Sequence, residues 1–296
     1  MRAESSLSPP PEPHHRRGWI YDAGGRDPRI GCSVAAQHTK HIRICGNSGV
    51  ILVAHHHLSP QFPMPVLPGR LQGLAMHIDK MAEETFNEHH KSVVYVMGRS
   101  AASTGIAKST GFVIGRKGTS CLVMLCAHQV RNDDAITIRL PGQTEEYRAT
   151  KMDKYCANGS DIAIIKADGV NEEVKALEFC DMVDVAAKTV VIRIGFVIPP
   201  NMPFHPLNPS VSIGTVTTKL VQNRSMGIAD LVYSANGRHG LSGSVLLLGN
   251  KVIGMTYAIG GALEKDLGYA RPSGTIHFQL KIWLNKQPNV SLLTLC

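Results

Sequence analysis

The chain has 296 residues, 43% of them hydrophobic and only 18% charged, with 28 glycines, 5% aromatics and a formal net charge of +8. Such a length holds one large domain or two modest ones around a real core, and a Gly-rich, aromatic-poor composition speaks for β structure over a helical bundle or a disordered chain. The positive charge comes without a run of five Lys/Arg, zinc-finger spacing or interleaved aromatics, so it reads as a solvated basic surface and no nucleic-acid partner is expected.

Residues 1–72 stand apart. "SLSPPPEPHHRRG", "VAAQHTKHIR" and "AHHHLSPQFPMPVLPG" are rich in Pro and His, and only "SGVILVA" has the makeup of a strand, so a poorly structured, low-complexity segment is expected. His55, His56 and His57 lack Cys or Asp/Glu at ligand spacing, and no metal site is expected there. The domain proper is expected over 73–285, opening with a short helix in "LAMHIDKMAEETFNEHHKS". Short β-type runs separated by Gly, Asn or Asp follow: "SVVYVMG", "TGFVIGR", "SCLVMLCA", "AITIRL", "EEYRATKM" and "SDIAIIK", a unit over about 91–168. After the linker "NEEVKALEFCDMVDV" come "TVVIRIGFVI", "VSIGTVTTKLV", "IADLVYSA", "GSVLLLG" and "KVIGMTYAI", a second unit over about 188–262. Two successive all-β units predict two barrels or sandwiches packed together. "GTIHFQLKIWLNK" spaces Ile276, Leu280 and Leu284 as a helix would over about 274–285, leaving 286–296 as a tail.

Seven scattered cysteines give neither a paired disulfide framework nor a CxxC metal pattern, and read as thiols of a reducing compartment. No window approaches about 18–20 uninterrupted apolar residues and the start lacks a secretory apolar region, so the reading is soluble, intracellular and without a membrane partner. On that reading the N-x-S sites at Asn158, Asn223 and Asn289 carry no weight.

Three residues raise the question of chemistry. His128 ends the apolar strand "LVMLCAHQV", Asp161 opens "GSDIAIIK", and Ser242 lies in the Gly-x-Ser-Gly turn of "NGRHGLSGSVLLLGNKVIG". Singly, each has a plain reading as a core histidine or a turn residue. A serine is a weak nucleophile and works only with a base, an orienting carboxylate and an oxyanion site.

Together, "TGFVIG…LVMLCAH", "SDIAIIK" and "GLSGSVLLLGNKVIGM" resemble the trypsin-like, chymotrypsin-fold serine proteases, and among them the HtrA/Deg-like branch and its plant relatives, over roughly 91–285. The resemblance implies two six-stranded β-barrels packed face to face, with the site in the cleft between them. It implies His128 as general base, Asp161 as the residue holding its tautomer, and Ser242 as nucleophile. The N–H groups of Gly240 and Ser242 would form the oxyanion hole. Asn236 would lie at the base of the substrate pocket, with Ala258 and Ile259 of "TYAIGG" in its wall. No acid stands there, so small or medium apolar side chains are expected before the cleaved bond. The implied activity is a serine endopeptidase working through an acyl-enzyme in protein quality control, with polypeptide substrates and no cofactor or metal. Homo-oligomers, common in that branch, are implied by resemblance only, and no PDZ-like domain is expected.

The departures are local. Leu241 stands where the family has Asn or Asp, Ser244 and Val245 replace Gly-Pro, and Gln129 follows the base where Val is common. A loop short of side-chain hydrogen bonds predicts weak or conditional catalysis. The alternative is a protease-fold protein that binds extended or unfolded polypeptides.

Overall fold

The computed structural model describes residues 42–45, 51–54, 69–100, 105–132, 135–181, 185–198, 206–223, 228–234, 238–260 and 266–285. Strands β1 (Ile42–Cys45) and β2 (Ile51–Ala54) form a hairpin, the second falling in the run with strand makeup, and helix α1 spans Gly69–His89. The expectation for 1–72 otherwise falls outside the described residues, as do His55, His56, His57 and the tail.

Strands β3 (Val93–Arg99), β4 (Ile106–Lys117), β5 (Ser120–Leu125), β6 (Ala135–Arg139), β7 (Tyr147–Ala157) and β8 (Ile162–Ala167) close into an antiparallel barrel in the order β3-β4-β5-β8-β7-β6. The second barrel uses β9 (Val190–Gly195), β10 (Ser210–Asn223), β11 (Ile228–Ser234), β12 (Val245–Leu248), β13 (Lys251–Ile259) and β14 (Leu267–Pro272). Their order is β10-β11-β14-β13-β12-β9, and β9 pairs back with β10 to close the ring. The hairpin joins this sheet through one parallel pairing, Val211 with Leu52. The fold is all-β and chymotrypsin-like, with a C-terminal helix α2 (Ser273–Asn285).

The strands read as nearly continuous apolar runs because both faces are covered. On β5, Cys121, Val123 and Leu125 point into the first barrel, while Leu122 and Met124 join a second cluster. On β9, Val191 lies in the interior of the second barrel and Ile192 and Ile194 join that same second cluster. Alternation along a strand thus divides between a barrel interior and the layer shared by the two barrels. Both helices cover this layer. Ala82 and Phe86 of α1 and Ile276, Leu280 and Trp283 of α2 reach it. Each large side chain buried there contributes about 1.5–3 kcal/mol.

Two differences from the sequence reading have physical causes. Trp283 takes the core position expected for Leu284, which is half-buried, because i, i+4, i+7 keeps to one helix face more closely than i, i+8. The sixth strand of the second barrel, β14, lies beyond the expected boundary at 262. Its sequence, LGYARP, has no run of β-branched residues, and it is held by pairing with β11 and β13.

Candidate active site

His128 sits in a single 3₁₀ turn, Ala127–Gln129, directly after β5, and Asp161 sits in the turn between β7 and β8. Because β5 and β8 are paired neighbours, Leu125 opposite Ala163, the two turns lie side by side. The Asp161 carboxylate accepts from the His128 backbone N–H at 2.8 Å through one oxygen and from Nδ1 at 2.7 Å through the other. The Ala127 N–H donates to the Asp161 carbonyl at 3.3 Å. Asp161 adopts φ +56°, a left-handed conformation that Asp tolerates better than most residues. The imidazole is exposed at its outer edge, and the Gln129 amide donates to Nε2 at 2.5 Å. A ring that accepts at Nε2 carries its proton on Nδ1, the tautomer a general base requires.

Ser242 follows Gly240 and Leu241 in the turn before β12. Two contacts bring it to the histidine's turn. The Cys126 thiol, two residues before His128, donates to the Thr256 carbonyl at 3.3 Å. The N–H of Gly243, next to Ser242, donates to that same carbonyl at 2.7 Å. One oxygen of β13 therefore ties the histidine turn of the first barrel to the serine turn of the second. The Ser242 hydroxyl donates to the Tyr257 carbonyl at 3.5 Å. Among the described residues its hydrogen bonding does not include His128, whose Nε2 is taken by Gln129. The base and the carboxylate are engaged, and the link to the hydroxyl stands open.

The expectation of a loosely held serine loop does not survive the structure. Thr110 of β4, fully buried, donates through Oγ1 to the Gly240 carbonyl at 2.7 Å and accepts there from the Phe196 N–H at 2.9 Å. Its own N–H donates to the Ser242 carbonyl at 3.0 Å. The Ile198 N–H donates to the His239 carbonyl at 2.8 Å, and Ser244 N–H to the Leu241 carbonyl at 3.0 Å. In a planar trans peptide the N–H of Gly240 is opposed to the His239 carbonyl, so it points away from Ile198. Neither Gly240 nor Ser242 donates its N–H to a backbone carbonyl outside the strands among the described residues. Leu241, 3% exposed, holds by packing where a polar side chain would hold by hydrogen bonding.

Gly240 and Gly243 have φ of +88° and +86°. A Cβ on Gly243 would stand 1.9 Å from the Thr110 carbonyl oxygen, so this position admits no side chain. Of the expected pocket residues, Ala258 is half-buried, Ile259 is 44% exposed at the end of β13, and Asn236 lies outside the described residues.

Cys126, His128 and Asp161 place ligand-type atoms within 4.8 Å of one another, a grouping the cysteine spacings gave no reason to expect. The set does not favour a metal. Burial, and next the Asp161 charge, push the Cys126 thiol well above its ordinary range, and the thiol is spent on Thr256.

Thr110 escaped the sequence reading as a site residue because nothing in "TGFVIGR" separates a strand residue from one that reaches across to the second barrel, and Gln129, singled out only as a departure after the base, turns its amide back on the neighbouring His128.

The trypsin-like peptidase domain family model matches residues 109–255. Among solved structures the chain resembles the active form of the Rv3671c protease from M. tuberculosis, with 18% identity, TM-score 0.56, and 75% of this chain and 92% of that one covered. It also resembles the serine endoprotease from Yersinia pestis, at 17% identity and TM-score 0.53, covering 69% of this chain and 66% of that one. The HtrA-type protease AlgW with a tripeptide is similar at 15% identity and TM-score 0.57, over 70% of this chain and 64% of that one. At such identities the likeness is one of fold. No curated protein matches by sequence.

Proposed function

We propose that this chain, whose residues 109–255 match the trypsin-like peptidase domain, is a serine endopeptidase that acts on polypeptides through an acyl-enzyme formed on Ser242. The observation that carries the proposal is the bidentate hold of Asp161 on His128, with the Nδ1 proton directed at the carboxylate and Nε2 left to accept. His128 takes the Ser242 proton as Oγ attacks the scissile carbonyl, and then gives it to the leaving amine. Water enters by the same base to release the acyl group. Asp161 keeps the imidazole in its tautomer and stabilises the imidazolium. The developing oxyanion is received by the N–H groups of Gly240 and Ser242, preset by the Thr110 and Ile198 contacts. With Asn236 six positions before the nucleophile and no acid in "TYAIGG", small or medium apolar side chains are preferred before the cleaved bond, and quality control of unfolded chains is the cellular task this fits.

One observation favours a second reading, a weak enzyme that works mainly by binding extended chains. Gln129 occupies the Nε2 that Ser242 needs, and the hydroxyl is turned to Tyr257. Labelling with an active-serine phosphonate probe separates the two. The enzyme reading expects covalent labelling of the wild type, none of Ser242→Ala, and faster labelling of Gln129→Val. An unlabelled wild type and Gln129→Val would leave the binding reading in its place.

A further inference from the structure

Arg271 is 2% exposed, on β14, and its guanidinium is divided between the two barrels. One edge pairs with Asp230 of β11 within its own barrel. The Nε–H donates at 2.7 Å to the carbonyl of Ser160, which precedes Asp161 in the first barrel. The face stacks on Tyr257, 4.0 Å from its ring centroid, and the Tyr257 hydroxyl donates to the other oxygen of Asp230 at 2.9 Å. Ser160 is held a second time, its hydroxyl donating to Gln279 of α2 at 3.2 Å.

We propose that Arg271 is a positioning residue for the Asp161 carboxylate. The Ser160 carbonyl belongs to the planar peptide that joins residues 160 and 161, so turning that oxygen changes ψ of Ser160 and φ of Asp161 together. Holding that oxygen on Nε holds Asp161 at φ +56°, a region that costs a non-glycine residue roughly 1 kcal/mol or more to occupy. In that conformation the two carboxylate oxygens reach the N–H and Nδ1 of His128 together. A peptide released from Arg271 relaxes towards negative φ and swings the carboxylate off one or both donors. The ion pair with Asp230 has the complementary task of fixing the guanidinium inside the protein, where burying the cation without a partner would be costly. The inference rests on His128 and Asp161 forming the catalytic pair.

The test uses the full chain and the double variant Arg271→Met/Asp230→Leu. It removes the buried ion pair whole, an exchange that well-packed apolar residues often bear without loss of stability. The expected result is a kcat lower by about 10–10²-fold with KM within about twofold, since a small displacement of a catalytic group costs turnover and leaves substrate binding alone. Independently of turnover, the Nδ1 proton of His128, hydrogen-bonded to Asp161, is expected far downfield in the proton NMR spectrum of the wild type and should vanish or move upfield in the variant. If the double variant fails to fold, Arg271→Lys, which keeps a cation for Asp230 but not the guanidinium's second edge, carries the same expectation. A wild type without the downfield proton overturns the proposal, as does a folded variant that retains wild-type kcat and that signal. A wild type that shows the signal but never turns over a peptide removes the acyl-enzyme reading and leaves this one to be decided by the spectrum.

Discussion

Thr110 is the single residue on which most of the serine loop depends. Its hydroxyl serves both the Gly240 carbonyl and the Phe196 N–H, and each is buried enough that the loss of its partner costs about 1–3 kcal/mol. Thr110→Val keeps the shape and removes both bonds. The loop can then turn the Gly240 peptide away from the oxyanion position, and the loss of one such donor lowers turnover by about 10²–10³. The expectation is a kcat reduced on that scale with a lowered melting temperature, and near-wild-type behaviour in Thr110→Ser, measured by steady-state kinetics and thermal denaturation. Equal activity of the Val and Ser variants would show that the loop is set by its backbone bonds and by the packing of Leu241.

At the scale of elements, the serine loop is seated by the pairing of β9 with β12, where Val245 faces Ile194 and Leu247 faces Ile192. Their junction is fitted around one exchange of bulk. A Cβ on Gly195 would lie 1.8 Å from Ser244 Oγ, so Gly195 is the space into which the Ser244 side chain fits. That hydroxyl is buried with no hydrogen-bond partner among the described residues. Gly195→Ala alone should destabilise by about 1–3 kcal/mol through overpacking. Ser244→Gly alone should be nearly neutral, because it removes an unsatisfied polar group along with some packing. Combined, the two changes should restore most of the loss, a coupling of roughly 1–2 kcal/mol readable from urea denaturation of the four proteins. Strict additivity would mean that the strand pairing adjusts to the methyl group by itself. The same junction shows why the departure from Gly-Pro at 244–245 is tolerated: the glycine is displaced to the facing strand.

Over the whole molecule, the buried layers carry ionisable groups whose protons the fold holds tightly. Burial pushes Tyr95 up to about 12, against a smaller opposing effect of the Arg139 guanidinium, and burial raises the Cys126 thiol well above its ordinary value. Both groups are neutral when protonated, so above their ordinary values of 10.0 and 9.0 the unfolded chain ionises while the folded one does not. The stability they contribute is complete below about pH 9 and is lost as pH rises, by up to about 1.4 kcal/mol per pH unit for each group. The melting temperature should therefore fall between about pH 9 and pH 11, and Cys126→Ala should flatten the early part of that fall. An equal slope in wild type and variant would assign the loss to other groups.

The sequence by itself determined the all-β class, eleven of the twelve barrel strands, the C-terminal helix and the place of His128, Asp161 and Ser242 at strand ends, because apolar alternation and turn residues are local signals. It did not determine β14, whose LGYARP has no such pattern and becomes a strand by closing a ring between β11 and β13. Tertiary structure alone decided how the site is held. Thr110 meets Gly240 across 130 residues and Arg271 meets Ser160 across 111, and no period or motif relates positions so distant. It also decided the resting state of the serine, since whether Nε2 of His128 receives Ser242 or Gln129 depends on the relative seating of two turns from different barrels. A buried polar contact is chosen by which groups the packed barrels leave facing one another, and that choice exists only once both have closed.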